Sequence, residues 1–256
     1  MKRLIAISLG ALLTIGVQAQ KKAIFEIGAS YHTFDMGAVN KSFINDFAKP
    51  IGILDDNINS GPQGFAKLKY APGSFFEVGI MLNYQVGTSS GQSTMYLTDI
   101  NGEVTDYLTL YNDFYAESIG VGYTSCWYLS DLLGFNSSEK PWVRRTHLGV
   151  EVNLGVAYSN AIYESLDNDN INAVRYEAEA NGDFQGQIGI SGHHNFIQKR
   201  FFSGIGFRVG YQHLKTRDLR FNDDTYWEVK NERMNLDFSG FYAGVYMRFG
   251  KAFLPY

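Results

Sequence analysis

The stretch His147–Ser159, HLGVEVNLGVAYS, decides the fold. Leu148, Val150, Val152, Leu154, Val156 and Tyr158 fall on one side of a period of two. His147, Gly149, Glu151, Asn153, Gly155, Ala157 and Ser159, all small or polar, fall on the other. That period is a β-strand with two chemically distinct faces. Whether the apolar face meets a core or a lipid depends on what the rest of the chain repeats.

The same alternation marks seven further strands. The first runs over Ala23–Thr33, with Ala23, Phe25, Ile27, Ala29 and Tyr31 opposed to Ile24, Glu26, Gly28, Ser30 and His32. The others are expected over Gln63–Tyr70, Phe75–Val86, Asp113–Tyr128, a weaker Asp183–Gly192, Phe201–Leu214 and Leu236–Gly250. An even number of strands joined by alternating long and short connections is the plan of an up-and-down transmembrane barrel. The long connections are 34–62, 87–112, 162–182 and 215–235; the shorter ones are 71–74, 129–146 and 193–200. The turn LSDLLGFNSSEKPWVRRT is long for its end of the barrel and has room for a short helix. Asn101-Gly102, between alternating runs, marks a hairpin rising above the membrane, and LRFNDDTYWEV suggests a second. NKSFINDFAKP fits a helical turn capped by Asn40 and stopped before Pro50.

Residues 1–19 read as a secretory signal peptide: Lys2 and Arg3, an apolar run from Leu4 to Val17, and a small-residue site at Val17-Gln18-Ala19. Residues 20–256 are then a single domain. Cys126 is the only cysteine, so no internal disulfide staples the chain. The composition, with 27 Gly, 17 Tyr and 19 Phe against 5 Pro, matches barrels, in which glycine and aromatic residues recur strand after strand. The four long segments together sum to −9, while 129–146, 193–200 and 250–256 sum to +1, +2 and +1. An acidic outer face argues against nucleic acid as a partner.

Side-chain size indicates which face points inward. The polar faces carry much glycine together with Glu26, Lys67, Lys69, Glu77, Glu151, Arg208 and Arg248. A narrow eight-stranded lumen is filled by side chains, and glycine makes room there for long charged ones. The apolar faces end in aromatic residues such as Tyr31, Tyr84, Trp127, Tyr158, Phe201, Tyr211, Phe241 and Phe249, the pattern of membrane-interface girdles. The expected fold is therefore all-β: an eight-stranded antiparallel up-and-down transmembrane β-barrel with short periplasmic turns and long extracellular loops. A secreted, soluble lipocalin-like barrel is the alternative.

The chain resembles the small bacterial outer-membrane barrels of the OmpA-barrel, OmpX and OmpW-like group, and particularly their Bacteroidetes relatives, whose leaders often end in a QAQ-like site. The last strand, FYAGVYMRF, is similar to their C-terminal insertion signal through Phe241, Val245, Met247 and Phe249, although the chain continues through GKAFLPY where many members stop. The resemblance implies a place in the cell outer membrane of a Gram-negative bacterium. It also implies outer-membrane lipid and lipopolysaccharide as surroundings and the barrel assembly machinery as a partner during insertion.

The inward charges pair by topology. Glu26 starts the first strand and Arg248 ends the last, so closure makes an ion pair; Lys67 and Glu77 are expected to face each other across the APGS turn. Chemistry-bearing alternatives are sparse. Ser30 and His32 share the inward face, but no acid is evident to orient the imidazole. His213 lies in sequence near Asp218, Asp223 and Asp224, and His193-His194 falls in a periplasmic turn. Asp167–Glu179 and Asp55–Gly61 do not fit the calcium-loop template. Asn40-Lys41-Ser42 and Asn136-Ser137-Ser138 match glycosylation sequons by chance in a bacterial setting. No catalytic residues, metal ligands or cofactor are assigned. The expected role is non-enzymatic, structural or surface-interacting, with a filled lumen; the alternatives are a narrow channel for small apolar solutes and a barrel enzyme at the outer rim.

Overall fold

The computed structural model describes residues 23–73, 75–167, 174–196 and 202–250. The expected leader, Phe201 and residues 251–256 lie outside the described residues. The strands are β1 (Ala23–Thr33), β2 (Ser60–Tyr70), β3 (Phe76–Thr98), β4 (Val104–Tyr128), β5 (Thr146–Asp167), β6 (Val174–Asn195), β7 (Phe202–Leu214), two short strands β8 (Glu228–Val229) and β9 (Glu232–Arg233), and β10 (Gly240–Gly250). Eight of them close in the order β1-β10-β7-β6-β5-β4-β3-β2. Every neighbour is antiparallel, and β1 closes the ring by pairing β2 on one side and β10 on the other, with Phe25 opposite both Leu68 and Phe249.

The barrel is inside out relative to a soluble protein. Leu148, Leu154, Val156 and Tyr158 are exposed, while His147, Glu151, Asn153 and Ser159 between them are buried. The pattern repeats round the wall: Ile27, Ile80, Leu82, Val121, Ile188, Ile205, Phe207, Val245 and Met247 face outward, uncovered. A continuous apolar surface of this extent is stable only in contact with lipid, which excludes the soluble calyx. Aromatic rings bound the band. Phe25, Phe249, Phe202 and Phe196 form a chain of ring contacts at the lower rim, and Phe76 packs edge-on against Trp127. Tyr211 packs on Phe241 at the upper rim. From Phe76 to Val86 the strand covers about 34 Å, which at a tilt of roughly 40° rises about 26 Å, against roughly 25 Å for the apolar band of such barrels.

Strands β3 to β6 are about twice as long as the others and rise as a tall wall over half the ring. The hairpin expected about Asn101-Gly102 forms, and it is continuous with the wall because β3 runs unbroken past Val86 to Thr98 and β4 from Val104; β5 and β6 likewise extend to Asp167 and from Val174, through segments expected as loop. Beyond the membrane neither face must be apolar, so alternation fades while backbone pairing continues. The β3–β4 hairpin closes over Asp99–Glu103, where Asp99 Oδ1 accepts the backbone N–H groups of Asn101 and Glu103 and Gly102 takes φ +83°. Those bonds hold the Asp99 carboxyl below the usual carboxylate range. A bulge at Gly182, with φ +74°, lies where the β5 register passes from Ala157–Asp183 to Tyr158–Asn181. It inverts the alternation of β6, so Asp183 and Gln185 face inward below it and Ala180 and Ala178 above it.

Two loop expectations change. Val39–Ala48 form helix α1, wound with wide i to i+5 turns, and Ala38 precedes it with no side-chain cap. Asn40 lies inside the helix and braces the loop instead, its amide donating to Asp35 O and Ile58 O and its carbonyl accepting from Ile58 N. The last strand starts at Gly240 rather than Leu236, because Leu236 and Phe238 turn inward and are fully buried. LRFNDDTYWEV does not extend the wall; it folds across the top, bridging β6 through Glu179–Arg220.

Val152 lies mid-band on the lipid face of β5. Val152→Arg places a charge there at a cost of about 2–4 kcal/mol. The expected result is loss of the heat-modifiable membrane form on gels, with Val152→Leu keeping it.

Candidate functional site

The inward faces assemble a stack of layers that fills the lumen. At the periplasmic end helix α2 (Leu129–Leu132) folds under the mouth and presents Asp131 to His147, whose Nδ1 lies 2.9 Å from both carboxylate oxygens. The His147 ring stacks on His193 at 4.7 Å, and Tyr128 meets both rings edge-on. Sequence reasoning missed this cluster, because Asp131 belongs to a turn and only the fold brings it beneath β5.

Above it lies the charged layer. Glu26, Lys67, Lys69, Glu77, Glu151, Arg208 and Arg248 are all buried in one network, four cations against three carboxylates. Arg248 Nη1 is 2.6 Å from Glu26 Oε1, as closure of the first strand on the last requires, and its other nitrogen bonds Glu77. Glu77 also accepts from Tyr128 Oη at 2.7 Å, which joins the charged layer to the aromatic base. Glu151 collects three cations: Lys67 at 2.5 Å, Arg208 at 3.4 Å and Lys69 at 3.9 Å.

The Lys67–Glu77 pair does not form. Across the turn Tyr70 pairs with Val78, which sets Lys69 opposite Gly79 and Lys67 opposite Met81. Lys67 is thereby lifted past Glu77 and reaches across the lumen to Glu151, while Lys69 bridges Glu26 at 2.8 Å and Glu77 at 3.6 Å. Arg208 lies over the rings of Phe65 and Tyr242 at 4.6 and 4.4 Å, so its flat guanidinium is held by faces as well as charges. At Gly206 and Gly28 glycine makes room for rings rather than for the charges themselves: a methyl at Gly206 would lie 2.2 Å from Tyr246 Cζ, and one at Gly28 would lie 2.7 Å from Phe65 Cζ.

The next layer is made of amides. Gln212 Oε1 accepts from Gln63, Gln185 and Gln187 at 3.2, 3.1 and 2.6 Å, and its Nε2 donates to Gln85 and to Phe238 O. Asn83 and Asn153 extend it to Gln185 and Gln187. The recurrence of glutamine at inward positions of β2, β3, β6 and β7 was visible in the sequence, but it was not recognised as a layer.

The outer mouth is closed by a hydrophobic cap. Phe34, Met36, Phe43, Ile44, Leu54 and Ile58 from the β1–β2 loop pack with Leu219, Trp227, Met234, Leu236 and Phe238 from the β7–β10 loop. The tall wall offers small inward side chains, Ala116, Ala157, Ala161, Ala178 and Ala180, on which the cap rests. Phe43 is central, 5.3 Å from Phe114, 5.4 Å from Trp227 and 5.9 Å from Tyr163. The two loops are also strapped together: Ser42 and Lys41 bond Glu232, which holds that carboxyl below the usual carboxylate range, and Lys230 donates to Asp46 O at 2.6 Å.

The chemistry-bearing alternatives resolve as follows. Ser30 Oγ lies 3.0 Å from His32 Nε2, a dyad distance, but Ser30 also bonds Gln63 and His32 Nδ1 has no hydrogen-bond partner. Both side chains are buried, with His32 stacked on Tyr242 at 5.1 Å. Without an orienting acid or access from outside, the pair belongs to the lumen filling. His213 approaches Ser239 at 3.4 Å, whereas Asp218 pairs with Arg233 and Asp223 bonds Thr225, so these four do not converge. His194 bonds Thr146 at 2.9 Å and meets Phe196 edge-on. Cys126 is buried. Asp55 joins the edge of β3 through Ser90 O, and Gly61 belongs to β2. Of Asp167–Glu179, residues 168–173 lie outside the described residues, Asp167 ends β5, and 174–179 belong to β6. Phe241, Val245 and Met247 of the last strand face outward, and Phe249 contacts Phe25 and Phe202.

No protein-family model and no curated protein sequence matches the chain. Among solved structures it is similar to Ail, the attachment invasion locus protein of Yersinia pestis, at 10% identity over 90% of this chain and 100% of that one, with a TM-score of 0.36. It is also similar to Neisserial surface protein A, at 10% identity over 88% and 96% of the two chains, TM-score 0.38. The outer membrane protein OprG from Pseudomonas aeruginosa matches at 11% identity over 91% and 99%, TM-score 0.38. At these values the barrel assignment stands on the strand pairing described above.

Two substitutions separate the layers. Glu151→Ala leaves Lys67 and Arg208 buried without their main partner, and breaking such a pair costs about 3–5 kcal/mol. The denaturant midpoint of the whole barrel in vesicles should fall accordingly. Phe43→Ala removes a buried ring at about 3–5 kcal/mol, confined to the cap. The expected result is faster proteolysis within residues 34–59 while the heat-modifiable barrel persists.

Proposed function

We propose that the protein is an integral outer-membrane barrel with a non-enzymatic role, a structural and surface-interaction component rather than a conduit. The observation that carries this reading is the lumen: a layer of seven interlocked charged side chains and a layer of amides lie beneath a packed apolar cap. A solute path would have to break all three. The leader-like residues 1–19 and the lipid-facing wall support the outer membrane of a Gram-negative envelope as the location, with its lipid and lipopolysaccharide as surroundings. The alternation through Phe249 supports recognition by the assembly machinery during insertion.

The part of the molecule offered to the outside is the tall wall. Tyr96 and Tyr107 sit opposite each other on the β3–β4 hairpin and are both exposed, with Ile100 and Val104 near its tip. Asp99, Glu103 and Asp106 make this ribbon acidic. Above Ser90, where Asp55 makes its last bond to β3, no strand lies beside that edge among the described residues. An open edge with exposed tyrosines suits contact with another surface.

Recording in planar bilayers tests the closed lumen. Neither the wild-type protein nor Arg248→Ala is expected to give conductance steps, and steps from either would overturn the reading in favour of a gated channel. Recovery of the protein only in the soluble periplasmic fraction would overturn the membrane placement itself.

A further inference from the structure

The connection between β4 and β5 is much more than a turn. Residues 129–145 carry α2 and a second short helix, α3 (Pro141–Arg144), and are pinned to the barrel rim at several points. Leu148 N donates to Ser130 Oγ at 2.8 Å, Asp131 engages His147, Asn195 N donates to Arg145 O at 2.9 Å, and Thr146 Oγ1 donates to Trp142 O at 2.8 Å. Ser130 and Asp131 are thus turned toward the protein and buried, while the apolar side chains beside them are left uncovered. Leu129, Leu132, Leu133, Phe135 and Trp142 are all exposed, Leu133 at 74% and Trp142 at 65%.

This surface is continuous with the lower edge of the apolar band, since Trp127, exposed on the lipid face of β4, precedes Leu129 by a single inward residue, Tyr128. Its charge is lopsided. Of the two carboxylates in the segment, Asp131 is locked onto His147, which leaves one carboxylate, Glu139, to offset three cations, Lys140, Arg144 and Arg145. Apolar side chains with tryptophan among them, edged by lysine and arginine, make up an element that lies in a membrane interface. Cations at that depth are drawn to anionic headgroups.

We propose that residues 129–145 form a foot that inserts Leu132, Leu133 and Trp142 into the periplasmic leaflet and holds anionic phospholipid headgroups with Lys140 and Arg144. The inference rests on the membrane reading above and adds a lipid-binding site below the barrel wall.

The test uses the full chain refolded into vesicles of phosphatidylcholine, alone or mixed with phosphatidylglycerol. An environment-sensitive fluorophore is attached at Leu133→Cys in a Cys126→Ala background, with Leu154→Cys on the wall as the reference. Heat-modifiable migration checks folding, and Trp142→Cys replaces Leu133→Cys if that variant fails. Both positions should give blue-shifted emission quenched by doxyl-labelled lipid. The foot label should be several-fold better shielded from aqueous iodide when phosphatidylglycerol is present, and Lys140→Gln with Arg144→Gln should abolish that difference. Aqueous emission at the foot with an apolar signal at 154 would overturn the proposal, whereas aqueous emission at both would overturn the membrane reading instead. Equal shielding in the two vesicle types would overturn the headgroup assignment. Shielding that grows with protein density would identify a second copy of the chain as the occupant and overturn the lipid assignment.

Discussion

Closure of β1 on β10 is the constraint from which the other features follow. In hydrocarbon an unpaired backbone N–H or C=O finds no water, so a sheet can cross the membrane only as a ring without edges. A ring of eight strands encloses a space about as wide as the side chains that line it. Once the outward face is given to lipid, the inward face must hold the polar residues, and these have only one another as partners. Glu26, flanked by Lys67 on β2 and Arg248 on β10, sits at the seam itself. The backbone hydrogen bonds that close the ring and the ion pairs that fill it are formed by the same strands.

The layers are ordered by what each can tolerate. Formal charges occupy the depth where the wall is continuous and each can reach an opposite partner. Amides take over above them, since a glutamine both donates and accepts and can join strands that lack charge complementarity. Above the membrane, where water is again present, the filling becomes an ordinary hydrophobic core built on a floor of alanines. The molecule is thus inverted in its lower half and conventional in its upper half.

Much of this was legible. Ala23–Thr33 and Phe76–Val86 alternate clearly because, Ile24 and Met81 apart, the inward residues are polar or small, and because the outward ones are apolar up to Thr33. Above the membrane the Asn101-Gly102 hairpin was legible from its turn, but the stretch that joins it to the wall was not, since GTSSGQST pairs fully with β4 without an apolar face to mark it. β6 was read only from Asp183 for a definable reason: Gly182 inverts the phase, so no single alternation runs through Ala178 and Gln185 together. The lumen residues were recoverable from face alone, but their pairing depended on a turn register that moved Lys67 past Glu77. The Asp131–His147 contact and the cap join segments distant in sequence, and no local pattern connects them.

The cap has a consequence for biogenesis. Its two halves come from the connection after the first strand and from the connection before the last, the loops that flank the closing seam. Phe43 and Ile44 are synthesised early, Trp227 and Leu236 late, and they become neighbours only when β10 docks beside β1. The outer core therefore forms only once the ring has been completed, on the side that faces away from the cell, and a barrel stalled before its last strand would display its loop hydrophobes unburied.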